Sequence, residues 1–231
     1  MSSRLFFLPV NTGYYSLGSP TQNGISFYEK RSKDSLYCSI VGNVATKSGF
    51  GTNSRTGVIS DNQSWKKLSQ IIKQGGTKPG IQLARTWPNY IGQRCSINRK
   101  WEEYRVDVIE GLKQLDLSEI YDDFYASINL AKSMGFEHIQ IHAAHGYLLS
   151  SMLDPQLYDA CDDVINLIIN LVSEFKNTLE LSVRVSVYCG FSQQVENDRL
   201  RILKSLFYNT FDFVDLSEGY YNYNKNYIYP Q

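Results

Sequence analysis

The sequence predicts an α/β fold with a mainly parallel sheet, and two observations carry that prediction. Short apolar runs alternate with longer amphipathic ones in strand-then-helix order, the pattern of repeated βα units. The 231 residues, 42% hydrophobic and 20% charged, suit one sizeable core, so a single domain over residues 1–231 is expected.

Taken in order, Leu5–Val10 reads as a first strand and Ile25–Lys33 as a helix. Leu36–Val41 is a second strand, and Asp61–Gln74 a helix with Asp61 placed to cap it. Gly80–Ala84 is a third strand, followed by a long loop or lid, 85–116, carrying Trp87, Pro88 and Trp101. From Ser118 a helix follows, with Ile120, Phe124, Ile128 and Ala131 at helical spacing and Gly135 at its end. Glu137–His142 is the fourth strand, with Ile139 and Ile141 on one face and His138, Gln140 and His142 on the other. Val164–Phe175 is a helix, Leu179–Val187 a strand, Arg199–Tyr208 a helix and Phe213–Ser217 a strand. Gly49–Gly51 and Gly75–Gly76 read as turns. These six strands fit either an open sheet or a closing barrel, because right-handed crossovers are common to both.

Composition narrows the function. The 23 basic residues balance the 23 acidic ones, which disfavours nucleic acid as a partner. No apolar run approaches the length that spans a bilayer, and the apolar core before Pro9 is too short for a signal peptide. Cys38, Cys95, Cys161 and Cys189 lack CxxC spacing and read as free thiols of a cytoplasmic protein.

Reactive groups of βα proteins gather at the C-terminal ends of the strands. There the chain places His142, His145 and Tyr147, imidazoles able to polarise an oxygen beside a phenol able to give a proton. The competing readings are core histidines or a metal site, and no third ligand stands at zinc spacing nearby. Gln82 can read an edge such as a flavin pyrimidine, or bond neighbouring backbone. Arg184, between Val183 and Val185, needs a partner if buried: a flavin edge or an inward carboxylate.

The segment Ala131-Lys-Ser-Met-Gly-Phe-Glu-His-Ile-Gln-Ile-His-Ala-Ala-His-Gly-Tyr-Leu-Leu-Ser-Ser-Met-Leu-Asp-Pro155 resembles the A-GFD-V-IHxAHGYLLxxFLSP stretch of the old yellow enzyme family. Weaker likenesses follow in the same order: Leu8-Pro9-Val10-Asn11, Ser26–Ser32, Ile81-Gln82-Leu83, Val183-Arg184-Val-Ser and Asp212–Gly219. The resemblance implies a TIM-type (β/α) barrel, incomplete here at about six of eight βα units. It implies an FMN-dependent NAD(P)H oxidoreductase of ene-reductase type acting on a small-molecule substrate. His142 and His145 would hold the substrate oxygen and Tyr147 would protonate carbon, while Pro9, Asn11, Gln82 and Arg184 would hold the flavin. The departures are as clear. The family's QLxHxGR becomes Gln82-Leu-Ala-Arg85-Thr-Trp87-Pro88, and its YGGS loop is replaced by Gln156–Asp162. With the last two units and their phosphate loops missing, a homo-oligomer or a complementing chain is expected to cover the open edges. The alternative is a non-catalytic barrel remnant acting in binding or assembly.

Overall fold

The computed structural model describes residues 4–90, 92, 100–207, 210–224 and 226–228. Cys95 and the expected helix end at Tyr208 lie outside them. The elements in chain order are β1 (Phe6–Phe7), β2 (Tyr15–Ser16), β3 (Ser19–Pro20), α1 (Gln22–Arg31), β4 (Cys38–Ala45), β5 (Gly57–Val58), α2 (Gln63–Gln74) and β6 (Lys78–Ala84). They continue as α3 (Trp101–Leu112), α4 (Leu117–Ser133), β7 (His138–Ala143), α5 (Leu148–Met152), α6 (Cys161–Phe175), β8 (Glu180–Tyr188), α7 (Gln193–Phe207) and β9 (Phe213–Glu218).

The six expected strands form one parallel sheet in the order β1-β4-β6-β7-β8-β9, with β5 added beside the end of β4. The sheet is curled. Phe6 on β1 and Phe213 on β9, from its two edges, meet with ring centroids 5.1 Å apart. The fold is an incomplete barrel, as the resemblance implied. Its outer face carries Ile81, Leu83, Ile139, Ile141, Val183 and Val185 into the core shared with the helices.

Inside the barrel, at the N-terminal ends of the strands, polar groups are all paired to one another. Glu180 accepts from Lys78 at 2.8 Å and from Tyr37, and its other oxygen lies 2.8 Å from His138 Nδ1. Burial alone would raise the Glu180 carboxyl, but hydrogen bonds from His138, Lys78 and Tyr37 outweigh it and hold the pKa at about 2.

Several element boundaries differ from the sequence reading, each for a local reason. The first strand shrinks to Phe6–Phe7, since Pro9 has no N–H for a ladder. Asn62, not Asp61, caps α2, its side chain accepting from Ser64 N at 2.9 Å. Thr21 caps α1, which therefore starts at Gln22 rather than Ile25. Helix α7 starts six residues before Arg199, in the polar stretch Gln193–Asp198 that shows no apolar period. The 85–116 connection holds α3, which buries Tyr104, Val108 and Leu112 at four-residue spacing behind a charged outer face. Gly75 caps α2, and Gly76 takes φ +81. No described helix is long and apolar enough to cross a membrane.

Candidate active site

A cavity of about 550 Å³ opens at the C-terminal ends of the strands and is lined by all seven residues singled out in the sequence: Pro9, Asn11, Gln82, His142, His145, Tyr147 and Arg184. The pleat explains much of this convergence. Gln82 lies in register with Gln140, and His142 lies in register with Arg184, which is in register with Asp215. Registered partners share a face, so β6 through β9 raise a wall of amide, imidazole, guanidinium and carboxylate toward the cavity.

His145 arrives differently. After β7 the chain places His145 at φ +64 and Gly146 at φ +72, two left-handed residues that turn the strand into α5. A Cβ on Gly146 would lie 2.5 Å from the Tyr104 hydroxyl, so glycine is required there. His145, a non-glycine at positive φ, carries backbone strain of about 1–3 kcal/mol. Its backbone is held on both sides: its N–H donates to Ser186 Oγ at 2.9 Å, and its carbonyl accepts from Tyr221 N at 2.8 Å. The turn brings the rings together, His142 lying edge-on to His145 and to Tyr147 with centroids 5.1 Å apart in each case.

Electrostatics keep both imidazoles neutral. Burial, then the neighbouring His145 and Arg184, lowers the His142 pKa well below its ordinary value. Burial and Arg184 bring His145 to about 3. Neutral rings that donate N–H, rather than imidazolium ions, therefore face the cavity near neutral pH.

Three buried polar atoms of this wall lack a hydrogen bond: His142 Nδ1, Arg184 Nε and Asp215 Oδ2. The last two stand 3.4 Å apart as an ion pair, so the inward-carboxylate partner considered for Arg184 is present. Burial raises the Asp215 carboxyl, opposed by Arg184 and a bond from Gln140. Gln82 donates from Nε2 to Gln140 Oε1 at 2.7 Å, a side-chain partner rather than backbone. Asn11 donates to Asn43 and Thr56 at 3.3 and 3.4 Å.

The lining also includes Asn43, Thr52, Asn53, Tyr221 and Ile228, which the sequence reading did not name. Asn43 was detectable as a lone amide inside the apolar run Ile40–Ala45. Tyr221 was hidden in a Tyr- and Asn-rich tail with no periodicity. It is placed by its neighbour Tyr220, wholly buried, whose hydroxyl donates to Asp154. Asp154 also accepts from Arg199 Nε at 2.9 Å, and Arg199 Nη1 donates to Glu196 at 2.7 Å. Arg85, in place of the family's histidine pattern, points away into a buried ion pair with Asp123, which also accepts from Thr46 at 2.5 Å. Among the described residues no group of three or more His, Cys, Asp or Glu is placed to hold a metal.

Comparison with known proteins bears on the family and the fold. The model of the NADH:flavin oxidoreductase / NADH oxidase family matches residues 1–165. The chain is 23% identical to the NADH-dependent flavin oxidoreductase iliE of Hypocrea jecorina (strain QM6a), over 95% of this chain and 65% of that protein. It is 30% identical to the NADPH dehydrogenase of Bacillus subtilis (strain 168), over 45% of this chain and 32% of that one. The solved Old Yellow Enzyme from Pichia sp. AKU4542 superposes with a TM-score of 0.70 at 16% identity, over 93% of this chain and 67% of that chain. The chain thus spans less than two thirds of the length of these curated relatives.

Proposed function

Because the chain belongs to the NADH:flavin oxidoreductase / NADH oxidase family, we propose that its cavity takes the ring system of FMN beside a small acceptor and supports an ene-reductase reaction. The observation that carries this reading is the placement of two neutral imidazoles, a phenol, a carboxamide and a guanidinium around one cavity of about 550 Å³. That volume lies in the usual range for ligand sites.

The residues fit the ring end of a flavin. Arg184, its Nε held toward Asp215, lines the cavity, and its guanidinium would meet the pyrimidine edge that becomes anionic on reduction. Gln82, with Nε2 committed to Gln140, would present its carbonyl oxygen to a ring N–H. Pro9 and Asn11 would flank the other side. Among the described residues Arg184 is the one Lys or Arg lining the cavity, and it is assigned to the ring rather than to the phosphate.

FMN, when bound, supplies hydride from NAD(P)H to the β-carbon of an activated alkene. This chain's residues do the rest. His142 and His145 donate hydrogen bonds to the carbonyl or nitro oxygen, drawing charge from the double bond. Tyr147 delivers the proton to the α-carbon, keeping charge balanced. After β6, Gly92 adds to the lining and Tyr90 stands edge-on to Tyr147 at 5.9 Å.

A second part of the proposal concerns partners. Among the described residues the edge strands β1 and β9 each pair on one side, and Leu5, Leu8 and Val10 beside β1 and Leu216 on β9 are exposed. Such edges call for a cover, and we assign it to a second copy or a complementing polypeptide that also holds the phosphate.

The test is to load the purified chain with FMN and follow NADPH consumption with cyclohexenone. Turnover should fall about 100-fold or more in His142→Ala, while flavin reduction by NADPH in the absence of acceptor stays close to wild type. Equal turnover in wild type and variant would refute the assignment.

A further inference from the structure

Ser217, on β9 two residues beyond Asp215, is the point where two members of the site meet. Its Oγ lies 2.6 Å from His145 Nε2 and accepts from Arg184 Nη2 at 3.3 Å. A guanidinium has donors only, so the Arg184 contact occupies a lone pair of the hydroxyl. The hydroxyl still has its single hydrogen to give, and of its two contacts the one to His145 Nε2 is the shorter and the one able to accept it. Burial with Arg184 nearby keeps this ring neutral near pH 7. A neutral imidazole that accepts at Nε2 carries its proton at Nδ1.

We infer that Ser217 is a positioning residue: oriented by Arg184, it locks His145 as the Nδ1–H tautomer, so that the ring offers a donor to an oxygen in the cavity. Arg184 thereby serves two ends of the site, meeting one ligand edge directly and fixing the proton of His145 through one hydroxyl. The backbone bonds from His145 N to Ser186 and from Tyr221 N to His145 O fix where the ring stands. Among the described residues, the hydrogen bond to a ring nitrogen of His145 is the Ser217 contact. The consequence for acceptors rests on the reading that His145 holds their oxygen, but the tautomer itself does not.

The decisive experiment is multiple-bond ¹⁵N–¹H NMR of the full chain without flavin, in which only three histidines contribute. The expected result is a protonated Nδ1 and a bare, accepting Nε2 on His145. Ser217→Ala should move both nitrogens toward values averaged over the two tautomers, and Ser217→Thr, which keeps a hydroxyl, should restore the wild-type pattern. A proton on Nε2 in the wild type, as when Ser217 accepts from both neighbours, overturns the inference. So does a pattern unchanged in Ser217→Ala. In the FMN-loaded protein, Ser217→Ala should raise the KM for cyclohexenone about tenfold, the scale of one neutral hydrogen bond. An unchanged KM beside a confirmed tautomer would overturn the role of His145 in holding the acceptor and leave the tautomer assignment standing.

Discussion

His145 shows how much a single residue is asked to do. It occupies a left-handed conformation at φ +64, presents a ring to the cavity, and accepts a backbone hydrogen bond from the strap that carries Tyr221. A β-branched replacement cannot adopt that φ without added strain. His145→Val is therefore expected to lower stability by about 1–3 kcal/mol, measured as a drop in the urea midpoint, whereas His145→Gly should relieve the backbone and lose only the ring's chemistry. The ring also imposes a pH dependence. Its folded pKa of about 3 lies below its ordinary value, so the unfolded chain binds the extra proton first as pH falls. Stability should be undiminished by this group above about pH 6.5 and fall from there toward pH 3, at up to about 1.4 kcal/mol per unit. Urea melts across that window, compared with His145→Gly, check the slope: a wild-type curve no steeper than the variant's would contradict the burial argument.

At the scale of elements, two buried polar networks hold the barrel's two ends. The lower one joins the residue before β4 to β6, β7 and β8 through Tyr37, Lys78, His138 and Glu180. Glu180 is depressed to about 2, so its contribution is present above about pH 4.5 and lost as pH falls toward 2, about 3 kcal/mol in all. Glu180→Gln should flatten the acid limb of the stability curve in that range. The upper network, Asp154 with Arg199 and Tyr220, ties α5, α7 and the segment after β9 together. Asp154→Asn leaves Arg199, 3% exposed, with Glu196 as its remaining charge partner, and should cost about 1–3 kcal/mol. This element scale is also where the sequence was least legible. Periodicity located α4 through Ile120, Phe124 and Ile128 because that helix buries one clean stripe. It missed the start of α7, whose first turns are polar, and α3, whose charged residues mask its buried face. The Tyr220–Asp154 contact spans 66 positions, and nothing local in either segment announces it.

For the whole molecule, the strand ends were readable because a parallel sheet must put its reactive groups there. His142, Gln82 and Arg184 share the inward face by pleat alone, so their convergence followed from strand register. Tyr221, Thr52 and Asn53 reach the same cavity through loops, whose paths local patterning does not encode. Among the described residues the curled sheet leaves β1 and β9 unpaired on one side, with Leu216 62% exposed. Sedimentation should accordingly show self-association or a bound partner, and Leu216→Lys should reduce it. A monodisperse monomer would remove the case for a cover. Lumiflavin, the ring without ribityl phosphate, probes the cavity itself, because only the ring end is assigned to these residues. Titrated into the chain, lumiflavin should show saturable quenching of its fluorescence, with affinity weakened tenfold or more in Arg184→Ala. Absent binding, or binding indifferent to Arg184, would contradict the account.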